Sequence, residues 1–194
     1  MNVKQDTLFV IGGMSQLLER IPAHVYASSL PALHGGTIGQ QFGRILGFYA
    51  CLLDGAQRNF VDYDARRHSP ELSEKTNAAL AVLDFVREQL GQLDEERWIH
   101  VYGEFNTSKS RGERPMLVSS IGRELQGALD HAAYHLALVR VSLELYFPEI
   151  KLPASLATLP PTMKHHWDAP PRPIAPRPAD DVLVEMYHTE FFIG

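Results

Sequence analysis

The stretch Ser120–Tyr146, SIGRELQGALDHAAYHLALVRVSLELY, places Ile121, Leu125, Ala128, Ala132, His135 and Val139 along one stripe at helical spacing. Ser119 or Ser120 offers a capping hydroxyl in front of it, and Pro148 stops it. The spacing predicts a helix from Ile121 to about Tyr146. Within it His131 and His135 stand at i and i+4, so both rings project from one face about a turn apart. A helix that gives two imidazoles to one metal ion uses this spacing. Two core histidines satisfied by hydrogen bonds are the plainer alternative. Glu124 lies seven residues before His131 on the same side. There it orients an imidazole or makes a salt bridge.

Three more helices are legible. One runs from about Gln5 to about Ser28 with Leu8, Ile11, Leu18 and Ile21 on a face, and Pro31 with Gly35-Gly36 breaks the chain after it. Thr37 caps the next, which carries Ile38, Phe42, Ile45, Tyr49 and Leu52 and is expected to end at Asp54-Gly55. Asn59–His68 reads as a polar loop. Ser69-Pro70-Glu71 is a helix start, with a capping hydroxyl, proline at the first helical position and an acid near the positive dipole end. Leu72, Ala79, Leu83, Val86 and Leu90 form the stripe that follows. Trp98–Tyr102 and Met116–Val118 read as a small β-hairpin or as two extended connectors. A short helix is expected near Ala154–Thr158.

Four long helices with few strand signals predict an all-α fold, a four-helix bundle over residues 1–167. Such bundles build ligand and metal sites from inward side chains of facing helices. Residues 168–194 are set apart as an extended arm. Pro170–Pro178 holds five prolines in nine residues. Its apolar ending, Val182-Leu183-Val184 and Phe191-Phe192-Ile193, is expected to dock on the bundle or on a second subunit. The Pro170–Pro173 and Pro173–Pro176 spacings also suit recognition by a partner that binds polyproline helices.

Composition narrows the function classes. Lys and Arg total 18 against 23 Asp and Glu, a formal net charge of −5, which speaks against nucleic acid as the main partner. Arg66-Arg67 and Lys109–Arg114 read as solvated loops. No apolar run approaches the roughly 20 residues that span a bilayer, and the start lacks the pattern of a signal peptide. With Cys51 the sole cysteine, no intrachain disulfide forms. A cytoplasmic protein is the expectation. Cys51 reads as a structural cysteine, since no acid–base partner adjoins it in sequence. No phosphate-cradling glycine loop and no nucleophile elbow are present.

A third ligand for the histidine pair must come from elsewhere. The second long helix offers Gln41 and Arg44, neither a usual transition-metal ligand. His34, His165 and His166 are further candidates, whereas His24, His68, His100 and His188 read as surface or loop residues.

Taken together, Thr37-Ile38-Gly39-Gln40-Gln41, Val61-Asp62-Tyr63-Asp64-Ala65-Arg66-Arg67, Ser119–Gln126, Asp130-His131-Ala132-Ala133-Tyr134-His135 and Pro161–His165 resemble the DinB-like (YfiT-like) superfamily over residues 5–166. The resemblance implies a four-helix bundle, often a homodimer. It also implies a divalent metal such as zinc or nickel held by three histidines, one from the second long helix and two from an H-x-x-x-H pair on the fourth. Characterised relatives include metal-dependent thiol transferases and isomerases. The fourth-helix pair maps onto His131 and His135. The second-helix histidine positions carry Gln41, Arg44 and Phe48 instead. A guanidinium beside the metal position opposes a divalent cation, so Gln41, Arg44, Glu124, His131 and His135 read as a pocket for a small anionic ligand. Alternatively Arg44 pairs with Glu124 and fills the vacated site.

Two functions therefore compete. In one, the chain is a DinB-like protein with a degenerate histidine site that does not hold metal in the family's manner. In the other, it is a metal-dependent enzyme of the thiol-transferase type, with His131, His135 and a non-standard third ligand.

Overall fold

The computed structural model describes residues 3–66, 69–102 and 115–157, mostly helical with one small sheet. Helix α1, Val3–Leu18, ends ten residues short of the expected Ser28. The reason is Pro22, which has no N–H to give and sits at φ −61°, ψ 146°. It caps a separate short helix, α2, Ala23–Ala27. A 3-10 turn, Pro31–Leu33, then closes on His34 in the left-handed region.

Helix α3, Ile38–Arg58, opens with a reciprocal capping box between Thr37 and Gln40. It does not end at Asp54-Gly55. Its stop is Asn59, left-handed at φ 61°, whose N–H returns to the Gly55 carbonyl. Gly55 has another role: a Cβ there would lie 2.5 Å from the Val61 side chain and 2.6 Å from the Phe60 carbonyl. It lets the following segment fold back against the helix. That segment, expected as loop, is strand β1, Phe60–Asp62, and a 3-10 turn, Tyr63–Ala65, capped by the Asp62 carboxylate.

The third predicted helix is two. Helix α4, Pro70–Glu74, has proline at its start as expected, but the Ser69 hydroxyl makes no capping bond. Extended Lys75 separates it from α5, Thr76–Leu90. The break follows from docking. The Tyr26 hydroxyl donates to the Leu72 carbonyl at 2.5 Å, and Gly39 leaves room for the Ser73 carbonyl, so the end of α4 is held on α2 and α3.

Strands β2, Trp98–Tyr102, and β3, Met116–Ser120, pair antiparallel from Trp98↔Ser120 to Tyr102↔Met116. The hairpin reading thus gains a third member: β1 runs parallel on the other side of β2, with Val61 opposite Val101. Helix α6, Ile121–Tyr146, has the predicted bounds, and Ser120 accepts from the Arg123 N–H. Helix α7, Ala154–Ala157, lies where a short helix was expected.

The four long helices pack in a ring: α3 touches α5 and α6, and α1 touches α5 and α6. Their inward residues, among them Ile11, Met14, Phe42, Ile45, Leu83, Val86, Leu125 and Val139, are fully buried. Each such side chain contributes about 1.5–3 kcal/mol relative to exposure. Val61 and Ile99 extend this core under the sheet. No helix among the described residues is long and apolar enough to cross a membrane. The proline-rich arm and its expected docking lie outside the described residues.

Candidate functional site

Helix α6 brings His131 and His135 together as its spacing requires. Their ring centroids are 4.5 Å apart and nearly edge-to-face. The rest of the site depends on α3, which packs against α6. Gln41 and His135 are each 4% exposed, and His135 Nδ1 lies 2.8 Å from Gln41 Oε1. An amide oxygen only accepts, so the ring carries its hydrogen on Nδ1 and keeps the lone pair on Nε2. The Phe48 ring stacks on His131 at 4.6 Å and on Tyr63 at 4.1 Å. His131 Nε2 is buried with no hydrogen-bond partner among the described residues.

Both imidazoles are held neutral. Burial pushes His135 down to about 4, with further lowering from His131, Arg44 and Arg66. Burial also lowers His131, followed by the Arg66 charge. The Arg44 main chain partly opposes this, and the Arg44 charge adds to it.

The other candidates fall on two sides of this pair. Glu124 takes no part in holding either histidine. It accepts from the Tyr63 hydroxyl at 2.8 Å and from the Ser119 hydroxyl at 2.6 Å. Arg44 and Glu124 make no ion pair; the carboxylate instead takes one neutral donor on each oxygen. Burial, then the Glu124 charge, raises the Tyr63 phenol well above its ordinary range. Arg44 is exposed, and it lines a cleft with Gln40, Gly43, Ser69, Pro70 and Ser73.

Arg66, expected in a solvated loop, is half-buried. Its guanidinium lies 5.1 Å over the Phe48 ring and its Nε donates to the Tyr63 carbonyl at 2.6 Å. Tyr63 and Arg66 were missed as site residues because a 3-10 turn has no periodicity to mark which side chains point inward. Their signal was the segment Val61–Arg67 itself, which carries part of the family resemblance.

Cys51 is half-buried, and its thiol donates to the Asp62 carbonyl at 3.3 Å. Burial raises its pKa despite the opposing Arg66 charge, so it is not an activated nucleophile. His24 and His34 are exposed, and His100 is half-buried within β2 rather than in a loop. His68, His165, His166 and His188 lie outside the described residues. Among the described residues no group of three or more His, Cys, Asp or Glu side chains is placed to hold a metal ion.

Comparison of the chain with protein-family models, with curated proteins and with solved structures finds no match.

Proposed function

We propose that this chain is a DinB-like four-helix-bundle protein whose histidine pair does not hold a metal in the family's manner and instead forms part of a small-molecule binding site. The ring of contacts among α1, α3, α5 and α6 supports the bundle. The observation that carries the metal-free reading is the pairing of α3 with the two histidines. The α3 residues at the three positions where the family has histidine, Gln41, Arg44 and Phe48, do not fit a divalent ion. Gln41 turns its oxygen to His135 Nδ1, Phe48 lays a hydrocarbon ring on His131, and Arg44 adds a fixed positive charge that both imidazoles feel. Both imidazoles are pushed toward the neutral form and feel the charges of two guanidinium groups, Arg44 and Arg66, an environment suited to an anionic ligand.

The test is metal analysis of protein purified, loaded with excess zinc or nickel and then dialysed. The expected result is far less than one equivalent, unchanged by His131→Ala. A full equivalent that disappears in His131→Ala overturns the reading. It would establish the second one, a metal-dependent enzyme of the thiol-transferase type. That reading is favoured by one observation, the buried His131 Nε2 with no hydrogen-bond partner among the described residues.

We place the protein in the cytoplasm and as a homodimer, as its resemblance and its single cysteine suggest. The surface of α6 supplies a face for the dimer: Tyr134, Val141 and Leu145 are exposed at the spacing of a coiled-coil seam, with Leu138 half-buried between them.

A further inference from the structure

We propose that the cleft between α3 and α4 is a binding site for a phosphate group, carried by a small phosphate monoester. It is separate from the histidine pair, and neither His131 nor His135 lines it.

The lining is a set of hydrogen-bond donors. Arg44 supplies a guanidinium, Ser69 and Ser73 supply hydroxyls, and Gln40 supplies an amide. The Gln40 oxygen is already engaged by the Thr37 N–H, which leaves its NH2 as the free end. The Ser69 hydroxyl is not used to cap α4, and neither serine hydroxyl has a partner among the described residues. Arg44 has no carboxylate partner there either. The nearest acid in sequence on α4, Glu71, faces Lys75 at 3.3 Å, and no carboxylate among the described residues lines the cleft. In a chain of formal net charge −5 this is a local concentration of donors around one cation.

The backbone builds the cleft. Gly39 admits the end of α4 against α3, and a Cβ on Gly43 would sit 3.0 Å from the Ser73 hydroxyl oxygen. Two glycines one turn apart thus bring the Ser73 hydroxyl over α3 on the side where Arg44 emerges. A guanidinium with flanking hydroxyls matches the several acceptor oxygens of a phosphate better than the two of a carboxylate. The cleft holds about 280 Å³. That is near the lower end of the roughly 300–1,000 Å³ of small-molecule sites, so the ligand is small.

Calorimetric titration of the full chain with inorganic phosphate, glycerol phosphate and acetate tests the proposal. One equivalent of inorganic phosphate or glycerol phosphate is expected to bind, with acetate much weaker. Tighter binding of glycerol phosphate identifies the monoester, and equal or weaker binding overturns that part. Arg44→Gln should weaken binding about tenfold or more, and Ser73→Ala about threefold. The exposed Arg58→Gln should stay within about twofold, the size of a nonspecific charge effect. The proposal fails if ~10 mM phosphate gives no binding, if Arg58→Gln weakens it as much as Arg44→Gln, or if His131→Ala abolishes it. The last outcome would seat the anion on the histidine pair. The metal analysis above is independent of all three.

Discussion

Replacing Gln41 with leucine leaves the His135 Nδ1–H inside the protein without an acceptor. An unsatisfied buried donor costs about 1–3 kcal/mol, so denaturant unfolding of Gln41→Leu should show a loss of that order at neutral pH. The same residue pair sets an acid limit. His135 has a folded pKa of about 4, below its ordinary value of 6.5. The folded state therefore resists a proton that the unfolded chain accepts. The stability tied to the neutral ring is complete above 6.5 and is lost as pH falls from 6.5 toward 4. Across that window the wild type should lose about 1–3 kcal/mol more than His135→Gln, measured by unfolding at a series of pH values. A smaller difference would mean that the ring is less protected than its burial implies. Phe48→His sets a third imidazole against His131 in place of the hydrocarbon ring. It should raise nickel or zinc binding measurably above that of the wild type. At this scale the histidines were legible from their i, i+4 spacing alone. Gln41 was legible only as a departure from a family pattern, since no local rule connects residues 94 apart in sequence.

Helix α3 shows why composition alone misplaces element ends. Gly47 and Gly55 look alike in sequence, yet a Cβ at Gly47 meets nothing within 4 Å, whereas one at Gly55 meets Val61 and the Phe60 carbonyl. Gly47→Ala should therefore stabilise the protein by about 0.5–1 kcal/mol through reduced backbone freedom. Gly55→Ala should destabilise it by roughly 1–3 kcal/mol by forcing β1 off the helix. Thermal or denaturant melts of the two variants should move in opposite directions. Reading Asp54-Gly55 as a helix end took a packing glycine for a capping one. Pro22 is the converse case: the expected Gln5–Ser28 helix ran through it, yet its missing N–H divides α1 from α2 as its chemistry requires. The bounds of α6 were legible because cap, stripe and terminating proline agree there.

For the whole molecule, the exposed seam on α6 makes the dimer testable. Light scattering should give a dimer for the wild type and a monomer for Leu145→Glu, with the melting behaviour of the isolated fold retained in the monomer. A wild-type monomer would remove the homodimer from the proposed function. The sequence by itself determined that the chain is mainly helical, where α6 begins and ends, and that two imidazoles share one face. Those properties follow from spacing, capping and proline chemistry within a few residues. Only the tertiary structure decided what faces the imidazoles. Gln41 and Phe48 arrive from a helix some ninety residues earlier, and Arg66 from a turn. Glu124, though on the same helix, is drawn instead to Tyr63 and Ser119. Burial and charge at a site are sums over every element packed around it, and that sum exists only once the helices have met.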